Sequence, residues 1–143
     1  MFEQGGEPSR PLTDDDYRAL GMFRHALREF TVFSESAAMG ADLMPQQHQA
    51  LLAIKELSLS KVPSVGDVAE RLFIRHHSAV ELIGRLARMQ LIERVRDPED
   101  GRRVQVMLTS LADEKLAALS ATHLAELRAI RPMLIKLLDH FQQ

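Results

Sequence analysis

The chain has no cysteine among its 143 residues. That excludes disulfides, thiolate metal sites, thiol redox sensing and cysteine nucleophiles. It has no apolar run of transmembrane length. Met1 to Glu7 is acidic and polar, unlike a secretory leader, so the expected compartment is the cytoplasm. There is no Gly-rich phosphate loop, no HExxH and no G-x-S-x-G, and no carboxylates pair convincingly in apolar surroundings. An enzyme is not expected, and no cofactor is implied. Internal repeats and low-complexity tracts are also missing. Nor is there an overall basic charge: the formal net charge is −2. This argues against a protein that coats nucleic acid indiscriminately.

What is present is a hydrophobic fraction of 45%, enough for a core, and an uneven distribution of charge. Residues 71–103 carry eight arginines (71, 75, 85, 88, 94, 96, 102 and 103) against five acids, a net of +3. Residues 1–70 are net −5, and residues 104–143 balance. The one positive window is internal, and its cations are all arginine, whose planar fork suits phosphate and guanine edges. Charge alone would equally describe a solvated surface.

Residues 1–12, with Gly5, Gly6, Pro8 and Pro11, read as a flexible tail. Thr13 or Asp14 caps a long helix with an acidic first turn and two apolar stripes, one of Tyr17, Leu20, Phe23, Leu27 and Phe30, the other of Met22, Ala26, Phe33 and Ala37. Two apolar faces imply contacts beyond its own small core. A second helix is expected from Pro45 to about Leu57. A third runs from Val65 to about Leu72, capped by Ser64 with Asp67 in the capping-box position. Phe73 and Ile74 form a turn. A fourth helix spans about Arg75 to Met89, with Val80, Ile83 and Leu86 facing inward and Ala79 and Ala87 as further candidates for that face. The period then changes: residues 91–96 and 102–108 alternate as strands around the turn Asp97-Pro98-Glu99-Asp100-Gly101. Thr109 or Ser110 caps a helix to about Ile130, Pro132 breaks it, and Met133 to Phe141 forms a last helix, apolar nearly all round. Such a helix must be buried, and a partner subunit is a ready surface.

The order is helix, short turn, helix, then a hairpin with an arginine-rich tip. The second helix of such a unit can present its N-terminal residues to the major groove, while an arginine at the tip reaches a narrow, strongly negative minor groove. Pro63-Ser64-Val65-Gly66-Asp67-Val68-Ala69-Glu70-Arg71-Leu72 resembles the first helix of the helix-turn-helix in the MarR family of bacterial repressors. His77-Ser78-Ala79-Val80-Glu81-Leu82-Ile83-Gly84-Arg85-Leu86 resembles its recognition helix. Leu91-Ile92-Glu93-Arg94 resembles the start of its first wing strand, and Asp97 to Arg103, ending at Leu108-Thr109, its wing. The resemblance covers residues 45–110 in motif detail and about 14–143 in element order.

The resemblance implies a mainly α fold with a small β-hairpin wing: a winged helix-turn-helix at 45–110, with residues 13–44 and 111–143 forming a helical dimerisation region. It implies a homodimeric repressor of double-stranded DNA, released by a small aromatic effector. It makes Arg102 the minor-groove arginine, with Asp100 holding its side chain. The DNA-facing set is Ser64, Arg75, His76, His77, Ser78, Glu81, Arg94, Arg96, Asp100, Arg102 and Arg103. The chain departs from the family at Gly101, where a first wing arginine is common, at Gln90, where a glycine usually ends the recognition helix, and at Glu81, where relatives often carry a base. Glu81 can accept from cytosine N4 but repels phosphate.

Blander roles stand beside these. Arg94 and Arg96 touch phosphate or merely solvate a strand edge, and Arg85 and Arg88 make backbone contacts or salt bridges. His76 and His77 point about 100° apart on a helix, which disfavours one shared metal ion. His25, His48, His123 and His140 are scattered. The alternative function is a winged-helix module that binds an acidic protein surface rather than DNA.

Overall fold

The computed structural model describes residues 10–142. Seven elements follow in order: α1 (Asp14–Gly40), α2 (Pro45–Ser58), α3 (Val65–Leu72), α4 (His76–Arg88), β1 (Ile92–Arg96), β2 (Val104–Leu108) and α5 (Ser110–His140). This is a mostly helical fold with one antiparallel hairpin, the winged-helix arrangement expected from the sequence. No helix among the described residues is long and apolar enough to cross a membrane. The chain divides into two compact units, one spanning Ser34–Leu124, the other the segments up to Phe33 and from Ala125 onward. Of the expected tail, residues 1–9 lie outside the described residues. Arg10 is held by both oxygens of Asp16, at 2.7 and 3.0 Å.

In the Ser34–Leu124 unit the core gathers Leu51 and Ile54 from α2, Val68 from α3, Ile83 and Leu86 from α4, and Val106 from β2, all at most 1% exposed. Ala79 and Leu82 complete the buried face of α4. They displace Val80, which the apolar periodicity turns inward but the structure leaves 45% exposed. The buried positions of α4 are 79, 82, 83, 84 and 86, and Val80, on the flank beside the side-chain-free Gly84, is left outside them.

The capping box at Ser64 forms as its spacing predicts. Ser64 Oγ accepts from the Asp67 N–H at 3.1 Å, and Asp67 Oδ2 accepts from the Ser64 N–H at 2.9 Å. That second bond, with a smaller contribution from Arg103, holds the Asp67 carboxyl below its ordinary pKa despite partial burial. The hairpin pairs Ile92 with Leu108, Arg94 with Val106 and Arg96 with Val104. A bridge from Gln105 to Ser64 and a bond from the Val106 N–H to the Pro63 carbonyl, 2.9 Å, tie β2 to the start of α3. Thr109 caps α5, accepting from the Ala112 N–H at 3.2 Å while donating to the Gln90 carbonyl at 2.7 Å.

Gln90 closes α4 with φ of 63°. Glycine reaches that left-handed region without strain, whereas a side chain there costs about 1 kcal/mol. Gln90→Gly is therefore expected to raise the unfolding free energy by up to about 1 kcal/mol, read as a higher urea midpoint at unchanged slope. A lower midpoint would show that the glutamine makes compensating contacts.

The second unit begins with another reciprocal cap. The Thr13 N–H donates to Asp16 Oδ2 at 2.8 Å, and Thr13 Oγ1 accepts from the Asp16 N–H at 3.2 Å. Asp16 also meets His140 Nε2 at 3.0 Å, and Phe23 meets Phe141 edge-on with centroids 6.0 Å apart. These contacts account for a correction. Pro132 does not end a helix; it lies inside α5, which continues to His140. The proline deletes one helical hydrogen bond, but Leu137, His140 and Phe141 are anchored beyond it. The expected burial of the last apolar segment is also unmet within one chain: Leu137 is buried, while Met133, Ile135, Leu138 and Phe141 stay 38–52% exposed.

Candidate nucleic-acid interface

α3 and α4 are joined by the three residues Phe73, Ile74 and Arg75. Phe73 caps α3 in the left-handed conformation, with φ of 56°, and its N–H returns to the Glu70 carbonyl at 3.2 Å. Arg75 then caps α4 in extended conformation, leaving His76 and His77 as the first helical residues, both exposed. Neither N-terminal turn of α4 nor its cap carries an acid, so the free N–H groups and the positive end of the helix dipole face outward unneutralised.

A hollow of about 460 Å³ gathers five of the expected residues: Ser64, His76, Arg94, Arg102 and Arg103. They come from the α3 cap, the start of α4, β1 and the hairpin tip. Gly66, Asp67, Glu70 and Val80 complete its principal walls. Ser78 and Glu81 lie instead in a second hollow of about 510 Å³, with Arg85 and the N-terminal residues of α2. Arg75 and His77 line neither. Among the described residues no three His, Asp or Glu are placed to share a metal ion.

The hairpin tip is built by acid side chains. Asp97 Oδ1 accepts from the N–H groups of Glu99, at 2.8 Å, and Asp100, at 3.3 Å. Asp100 Oδ1 accepts from the Arg102 N–H at 3.1 Å. These are Asx turns, in which a short carboxylate substitutes for a backbone acceptor. Asp100 also stands 3.4 Å from Arg102 Nε, but the Arg102 side chain is 93% exposed. Arg96 reaches across to the Gly101 carbonyl at 3.4 Å. Gly101 has an unstrained backbone and open space where a Cβ would project.

Arg103 behaves differently from its neighbour. Its Nη2 donates to Ser64 Oγ at 3.1 Å and approaches Asp67 at 3.4 Å, locking the wing onto the cap of α3. Asp67 and Val80 are among the residues of this face that sequence reasoning does not assign to it, with Gly66 and Glu70. For Asp67 the Ser-x-x-Asp pattern is a signal for the cap but not for the wing contact. For Val80 no signal exists.

A two-helix turn unit followed by a wing whose arginine projects into solvent defines a winged helix-turn-helix fold. The sequence model of the MarR family matches residues 41–103. No curated protein matches the chain. Solved structures share its fold. AbsC, a MarR family transcriptional regulator from Streptomyces coelicolor, is 21% identical, with 85% of this chain and 81% of AbsC covered and a TM-score of 0.69. MepR, a transcription regulator of the Staphylococcus aureus multidrug efflux pump MepA, is 19% identical over 84% of this chain and 96% of MepR, with a TM-score of 0.71. MepR in complex with DNA gives 19% identity, 86% and 95% coverage and a TM-score of 0.60. Residues 41–103 thus match the MarR family model, and the chain shares the fold of solved MarR-family regulators.

Proposed function

We propose that the protein is a sequence-specific DNA-binding transcriptional regulator, not an enzyme, acting in the cytoplasm as a homodimeric repressor released by a small aromatic effector. The observation that carries the reading is the exposed reach of the wing: Arg102 is almost fully exposed at a tip whose turn is fixed by Asp97 and Asp100, beside an α4 N-terminus free of acids. The solved MepR–DNA complex, whose fold this chain shares, supports it. In this reading residues 45–110 read the duplex, with His76, His77, Ser78 and Glu81 toward bases and Ser64, Arg75, Arg94 and Arg96 toward phosphates. Residues 13–44 and 111–143 pair two copies. The apolar side chains that one chain leaves exposed, Tyr17, Leu20, Leu27, Ile135 and Leu138, support that pairing. Effector release rests on family resemblance, and a screen of small phenols for dissociation of the DNA complex tests it.

The full chain is titrated onto DNA from just upstream of its coding region and onto shuffled DNA, at two salt concentrations. Tight binding that prefers the native DNA is expected. If about six phosphates are neutralised, affinity falls about 10³-fold between 50 and 200 mM salt. A winged helix serving only protein contacts would bind neither DNA, even at low salt.

A further inference from the structure

Val80 is the one large apolar side chain of α4 that the fold leaves exposed. Its exposed neighbours on that helix, His76, His77, Glu81, Arg85 and Arg88, are all polar. Val80 sits one turn beyond His76 in the hollow that also holds Arg94, Arg102 and Arg103. One turn further, Gly84 has no side chain to cover it, and a Cβ added there would meet only the guanidinium groups of Arg88 and Arg94, at 3.7 and 3.9 Å. An isopropyl group standing in water among charged side chains of both signs contributes little to folding, and becomes useful when a partner buries it.

The major groove offers hydrogen-bonding groups at every base pair but a single apolar one, the thymine C5-methyl. We propose that Val80 is a specificity-determining residue that packs its isopropyl group on a thymine C5-methyl, with Arg94 beside it held to a backbone phosphate. The inference rests on the DNA-binding reading above. Branching at Cβ restricts χ1, so little side-chain freedom is lost on contact and the methyl position is read sharply.

Duplexes are first selected from a random pool by the full chain. In the best of them each thymine is then replaced singly by deoxyuridine, which deletes only the methyl, and affinities are measured for the wild type and for Val80→Ala. The expected result is a thymine at which deoxyuridine weakens the wild type about 4-fold, the worth of one buried methyl, and leaves Val80→Ala unaffected. Val80→Ala keeps the wild-type salt dependence, because no phosphate contact is lost. A flat deoxyuridine scan, or equal losses in both proteins, overturns the proposal while the DNA-binding reading stands. Failure to enrich any sequence overturns both.

Discussion

Arg102→Ala is expected to weaken binding to the selected DNA about 10-fold for each wing, hence about 100-fold for a symmetric pair, with the urea midpoint unchanged. The side chain is 93% exposed and its one ionic partner, Asp100, stands 3.4 Å away. A surface truncation of this kind moves stability by no more than about 0.5 kcal/mol. A guanidinium inserted in a narrow minor groove, by contrast, sits in concentrated negative potential and loses all of it on truncation. Arg103→Ala supplies the contrast. Successive residues leaving a turn into a strand point to opposite sides, and Arg103 is turned onto the protein. Losing its bond to Ser64 is expected to lower stability by about 1 kcal/mol, and to loosen the wing as well. Anisotropy titrations and urea unfolding of both variants separate the roles. Wild-type affinity in Arg102→Ala would remove the wing from the interface.

Which features could be read in advance follows from the range of the interaction responsible. The cap at Ser64 and Asp67 is written in three residues, and the turn at Asp97 to Gly101 in five, so both are legible locally. The left-handed Gln90 is legible only through the family resemblance, which places a glycine at that position. Pro132 misleads because its local preference is opposed by contacts with α1, more than a hundred residues earlier in the chain. Val80 misleads because Val, Ile and Leu look alike to a periodicity, and only packing decides which one the core leaves out. The partner of Arg103 is invisible in sequence, since 39 residues separate it from Ser64. The candidate face was therefore legible as a list of arginines, and the division of labour among them was not.

Acidification is expected to destabilise the protein through His48, a residue without a local sequence signal. The residue is 4% exposed on α2, its Nδ1 has no hydrogen-bond partner, and its ring meets that of His123 of α5 at a tilt of 47°, with centroids 4.9 Å apart. His123 in turn meets the Leu119 carbonyl through Nδ1 at 2.7 Å and the Ser34 hydroxyl through Nε2 at 2.8 Å. The carbonyl can only accept, so Nδ1 carries the hydrogen. Burial first, and then the neighbouring His123, push the pKa of His48 below its ordinary 6.5. The unfolded chain therefore takes up a proton on this ring before the folded chain does. Stability is unaffected above about pH 6.5 and falls below it, by at most about 1.4 kcal/mol per pH unit, until the folded form also protonates. Asp16 is shifted downward too, chiefly by Arg10, but a depressed carboxylate releases its stabilisation only below the ordinary carboxylate range, so the two windows are separate. Urea midpoints at pH 7.5 and pH 5 are expected to diverge in the wild type and to converge in His48→Leu, which removes the titrating ring and keeps the site apolar. Leucine is also expected to gain about 1–3 kcal/mol at pH 5, because an unpartnered buried nitrogen is no longer desolvated. An identical pH dependence in both proteins would place the acid sensitivity elsewhere and leave His48 a neutral packing residue.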